Sequence, residues 1–192
     1  MLLKNSLLAC ALAASLVTPS HAKDSALAVG SGWNAFGVDE TAIGTPDWAD
    51  ILNNSFEKLY FTFSIAAGAS GTLTVVDGSF AGDTFAVYDG ALLLGNTSAV
   101  PVVNIESASS VGSYDDAFAD PAFSRAVFTL GAGSYRISGS LLQSVLAGGM
   151  PLGATDGAVK LDVAAAIPEP STYALLLAGL GLLAAVAKRR SH

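Results

Sequence analysis

The chain has 192 residues, 16 acidic against 9 basic, a formal net charge of −7, one cysteine and two histidines. A single cysteine excludes an intrachain disulfide framework. The acidic balance argues against nucleic acid and anionic lipid surfaces as partners and would attract divalent cations.

At the N-terminus, Lys4 forms a short positive region, Leu7 to Val17 is apolar, and Ser20-His21-Ala22 is a small-x-small cleavage site. This predicts a signal peptide over residues 1–22, handled by the secretion machinery and cut by signal peptidase after Ala22. The apolar run is too short for an uncleaved anchor. Leu7-Leu8-Ala9-Cys10 loosely fits a lipobox, but the run continues through Val17, whereas a lipidated cysteine should close it. The cut removes Cys10 and His21, and His192 lies in the C-terminal tail, so an exported domain over residues 23–167 contains neither residue type. That excludes a Ser-His-Asp triad, a Cys-His pair and a zinc site built on imidazole or thiolate.

The domain is long enough for one packed core. It carries fifteen acidic residues against five basic ones, a net of −10. The stretch from Gly30 to Asn54 has no clean period, and Asp47 to Leu52 is read as one short helical turn. Leu59 to Ile65 then alternates apolar and polar residues, the pattern of a half-buried antiparallel strand. Thr72 to Val76 follows a Gly/Ala/Ser turn. Thr84 to Tyr88 runs into Asp89-Gly90, a hairpin dipeptide, and Ala91 to Leu94 returns. Further strands are predicted at 100–105, 126–130, 135–141 and 158–163. Gly131-Ala132-Gly133 reads as a hairpin, and Ser107 to Phe123 as a long polar loop with Asp115, Asp116 and Asp120. Short strands split by Gly/Asp turns predict an all-β fold, an antiparallel β-sandwich or jelly roll.

Clustered aspartates are the only candidate chemistry in the domain. Asp77 and Asp83 flank one turn and are the first candidate calcium ligands, since calcium takes six to eight oxygens from such loops. The spacing matches no EF-hand, and Asp also serves turns by bonding its own backbone. No other cofactor is expected. A glycosidase would need two carboxylates facing across a cleft, and with fifteen acids such a pair arises by chance. Trp33, Trp48, Tyr88 and Tyr114 are candidate platforms for sugar rings, each also readable as core or hairpin packing.

The last 25 residues hold Pro168-Glu169-Pro170, an apolar run to Ala187, and Lys188-Arg189-Arg190. Residues 171–187 predict a C-terminal transmembrane helix of roughly 25 Å at ~1.5 Å per residue. That is short for a ~30 Å hydrocarbon core, and Gly179 and Gly181 weaken it further. The basic tail at 188–192 would stay cytoplasmic. Turn, greasy helix and basic stop, in this order over 168–192, resemble the PEP-CTERM sorting signal of exopolysaccharide-producing Gram-negative bacteria. The resemblance implies processing by an exosortase and a brief stay at the inner membrane. Display at the cell surface or in the extracellular matrix, in association with exopolysaccharide, would follow. Val76 to Gly90, with Leu94-Gly95-Asn96-Thr97-Ser98 and Ala119 to Tyr135, resembles a "GDxFxVYDxG" pattern of exported β-domains. That likeness implies a β-sandwich over about 56–163 and supplies no catalytic residue. The expectation is a non-catalytic surface or matrix protein. The alternatives are a carbohydrate-binding module, with or without calcium, and a carboxylate-based glycoside hydrolase.

Overall fold

The computed structural model describes residues 22–41, 46–50, 56–165 and 170–190. Twelve strands and two α-helices lie within them: β1 (Ala22–Ala26), β2 (Asn34–Asp39), β3 (Trp48–Ala49), β4 (Lys58–Ile65), β5 (Ala69–Asp77), β6 (Thr84–Asp89), β7 (Leu92–Asn96), α1 (Tyr114–Ala119), β8 (Arg125–Leu130), β9 (Gly133–Gln143), β10 (Leu146–Ala147), β11 (Met150–Pro151), β12 (Ala154–Ala165) and α2 (Pro170–Arg190).

Ten strands form one antiparallel-dominated sheet in the order β7-β6-β9-β4-β3-β2-β12-β5-β8, with β1 added in parallel to β4. The sheet folds over so that its two halves face each other, joined through the two-residue β3. Alternation decides what meets inside: Leu59, Phe61 and Ile65 of β4, Leu73 and Val75 of β5, Phe85 and Val87 of β6, and Val159 and Leu161 of β12 are all buried in one cluster. Trp48 is wholly buried at its centre, stacked on Phe36 at 3.9 Å between ring centroids. A second cluster lies on the outer face of β5 and β12, where Val76 and Ala158 are covered by Ala117 and Phe123. The all-β sandwich expected from the sequence is the observed fold.

Four local expectations are corrected. Residues 100–105 are not a strand: Pro101 lacks an N–H for a ladder, and only Asn104 makes a bridge, to Leu146, ahead of a 3₁₀ turn at Ile105–Ser107. The polar loop at 107–123 contains α1, whose Tyr114, Ala117 and Phe118 share one face at helical spacing against the second cluster. Gly131-Ala132-Gly133 is not a hairpin: β8 pairs with β5 and β9 with β4, so this corner passes between the two halves of the sandwich. Trp48 and Ala49 are strand, paired to Val38 and Gly37, where a helical turn was expected; residues 51 and 52 lie outside the described residues.

Candidate functional site

The turn between β5 and β6 brings the two predicted metal residues together. Asp77 closes β5 and Asp83 precedes β6, and neither side chain reaches solvent. Asp77 Oδ2 accepts the N–H groups of Gly82 and Asp83, each at 3.2 Å. Asp83 Oδ1 accepts the Val145 N–H at 2.6 Å, and its Oδ2 accepts the Thr155 hydroxyl. Asp77 therefore curls the turn, while Asp83 ties it to the segment after β9 and to β12. Asp77 Oδ1 is buried without a partner.

Burial, and then the neighbouring Asp83 charge, push the Asp77 carboxyl up to about 9. Burial also raises Asp83, to about 6; its bonds to Thr155 and Val145 work the other way, and the charges of Glu40 and Asp156 add to the rise. At neutral pH Asp77 is a neutral acid, with Oδ1 the oxygen free to hold the proton. Two acids with separated pKa values look like an acid–base pair, but a buried pair bound to backbone offers no substrate access. Among the described residues, no three His, Cys, Asp or Glu side chains group to hold a metal ion.

Asp89 and the three aspartates of the 107–123 segment hold structure. Asp115 accepts the Trp33 indole N–H at 2.8 Å, and Asp116 exchanges bonds with Ser113 at the start of α1. Asp120 accepts the Ala122 N–H, and Asp89 accepts the Arg136 N–H. These partners are 2 to 82 residues away in sequence, which is why only the shortest-range ones are readable from the chain.

The four candidate platforms separate cleanly. Trp48 is sealed in the core and cannot stack on a ligand. Trp33 packs against Tyr114 and Phe118, with the Lys160 ammonium 4.7 Å above its ring. Tyr114 is held through its hydroxyl on Asp156 Oδ2 at 2.9 Å. Tyr114 also lines a smaller depression of about 170 Å³ with Ser79 and Val111, and Tyr88 borders a polar groove of about 320 Å³ on the outer face of β6 and β9. Its remaining walls include the Asp47–Lys58 ion pair, with Ser138 and Ser140 below. The sequence reading passed over Asp47, Lys58 and both serines. The available signal was Ser138-Gly139-Ser140, three small residues in the middle of a strand between Tyr135-Arg136-Ile137 and Leu141-Leu142-Gln143.

At the C-terminus, α2 runs from Pro170 to Arg190 with Lys188, Arg189 and Arg190 in its last turn, where the helix dipole favours positive charge. Leu175, Leu176, Leu177, Leu182 and Leu183 are exposed. Pro168 and Glu169 lie outside the described residues, as do residues 1–21 of the predicted signal peptide. The helix expected at 171–187 is present. Among the described residues no helix is long and apolar enough to cross a membrane. Ala22 opens β1, so a cut after it would leave Lys23–Ala26 paired along β4.

A family model described as the PEP-CTERM protein-sorting motif matches residues 166–190. Among solved structures, the chain is similar to the pre-peptidase C-terminal domain of a collagenase from Bacillus anthracis. The two are 11% identical with a TM-score of 0.37, over 76% of this chain and 98% of that one, a likeness too loose to argue from. A comparison with curated proteins gives no match.

Proposed function

From the PEP-CTERM protein-sorting motif that this chain carries at residues 166–190, we propose a non-catalytic surface or matrix protein of a Gram-negative bacterium. It is exported, held briefly at the inner membrane by α2, processed by an exosortase and displayed in association with exopolysaccharide. The observation that carries this reading is the motif itself, and the helix with three basic residues in its last turn supports it. A 21-residue helix is roughly 32 Å long at ~1.5 Å per residue, but its apolar part is shorter and interrupted by Gly179 and Gly181. Such a helix suits a transient tether better than a permanent anchor. The mass of the mature C-terminus, measured in cells with and without the exosortase, tests the proposal. Loss of the tail only where the enzyme is present supports it; a tail retained in both overturns it.

The second reading is carbohydrate binding, favoured by the half-buried Tyr88 beside a polar groove. Calcium at Asp77 and Asp83 would have to displace the Asp77 proton and use Oδ1, the oxygen without a partner. A rise in melting temperature with calcium, reversed by chelator, would support that form; no shift removes it. A glycoside hydrolase finds no support in Asp77 and Asp83, which are closed to substrate.

A further inference from the structure

The groove beside Tyr88 has a composition that selects a ligand class. Its floor is made by Ser138 and Ser140, which point the same way from β9 because residues two apart share a face. Gly139 between them faces inward, against the indole of Trp48. On β6, Tyr88 is paired directly with Ser138, and Ala86 with Ser140. The bridge between Asp47 and Ser140 brings the third side of the groove in from the segment before β3. Small residues in the middle, with longer ones around them, make the depression.

Charge narrows the choice. Lys58 Nζ and Asp47 Oδ2 are 2.7 Å apart, and both side chains are about one-third exposed, 32% and 34%. Burial works against the Lys58 ammonium, but Asp47 and Tyr60 outweigh it and hold it charged. The two charges compensate each other, so a strongly charged ligand would have to break the pair. A neutral ligand with many hydroxyls would not: the carboxylate accepts and the ammonium donates, over a floor of two small, buried serines. The Tyr88 ring supplies an apolar face beside them, as a sugar ring's C–H face requires. A volume of about 320 Å³ is at the lower end of ligand pockets, which suits one or two sugar rings of a chain continuing outward.

We propose that this groove, formed by Asp47, Lys58, Tyr88, Ser138 and Ser140, is a binding site for a neutral segment of a polysaccharide. The proposal rests on the carbohydrate-binding reading and adds its location and the charge class of its ligand. It is independent of how the C-terminal tail is processed.

The test uses the full chain in mild detergent, titrated with neutral oligosaccharides (cellohexaose, maltohexaose, mannohexaose and xylohexaose) and with acidic oligogalacturonate. At least one neutral probe should bind. Tyr88→Ala should weaken that binding tenfold or more, and Ser140→Leu, which fills the floor, should abolish it. Tyr88→Phe keeps the ring and should stay within about threefold of the parent. It also provides a folded comparison, checked by thermal unfolding, if Tyr88→Ala does not fold. Neutral binding unchanged in Tyr88→Ala and Ser140→Leu overturns the groove while leaving carbohydrate binding standing. Binding of oligogalacturonate alone overturns the neutral class, and failure of every probe overturns the groove and the carbohydrate reading together.

Discussion

Gly139 shows how one missing side chain serves two faces of a sheet. A Cβ there would overlap the indole ring of Trp48, which is itself stacked on Phe36 and meets Phe61 and Phe85 edge-on. The indole cannot retreat, because it is enclosed on all sides. Gly139→Ala should therefore lower stability by about 1–3 kcal/mol, the usual effect of overpacking a filled core, as measured by urea unfolding. A change below about 0.5 kcal/mol would mean that the core around Trp48 is looser than it looks. At the turn after β5, Gly82 plays a related role: its φ of 142° is open to glycine, and its N–H is one of the two that Asp77 gathers. The Gly-Asp pair at 82–83 is thus explained by backbone geometry and buried hydrogen bonds, with no bound ion required.

Among the elements, what was readable depended on how much of the pattern was local. The alternation in β4 follows from one drier and one wetter face, so that strand is visible in the chain, while β6, buried over its first four residues, is marked by the Asp89-Gly90 dipeptide that follows it. β2 was not, since Asn34 and Gly37 break its pattern, and its burial comes from strands far away in sequence. α1 is only six residues long and carries Asp115 and Asp116 outward, so a polar loop and a short capped helix read alike. Gly131-Ala132-Gly133 has the composition of a hairpin. Whether such a corner turns back or crosses over is decided by which partners the flanking strands find. The same limit applies to the groove: Asp47 and Ser140 are neighbours only because of the bridge between them. The aspartate pair was legible as a pair, because both ends sit on one turn, but its burial was not.

For the molecule as a whole, the buried acids set a direction for pH dependence. Asp77 and Asp83 rise from an ordinary 3.8 to about 9 and about 6. Between those limits the folded chain holds protons that the unfolded chain has released. Their stabilising effect is complete below about pH 4 and is lost as pH rises through 6 and then 9. The melting temperature should fall from pH 5 to pH 9 by on the order of 5 °C or more. Asp77→Asn, which imitates the protonated acid and keeps an oxygen for the Gly82 and Asp83 N–H groups, should flatten the upper part of that fall. Thermal unfolding of both forms across this range checks it; a parent profile that is flat or rises with pH would contradict the buried pair.

β12 gives the molecule a mechanical property. It is twelve residues long, pairs over nine positions with β5 and over six with β2, and ends at Ala165, just before the sorting motif. A pull applied through the tail first meets residues 160–165, which pair with β5 alone, and then 157–159, which have β5 on one side and β2 on the other. An edge strand such as β8 has one neighbour along its whole length, whereas β12 passes from one neighbour to two and ends held by β2. A load on the C-terminal end of the domain is therefore taken first by the β5 ladder and reaches β2 only at the inner end of β12.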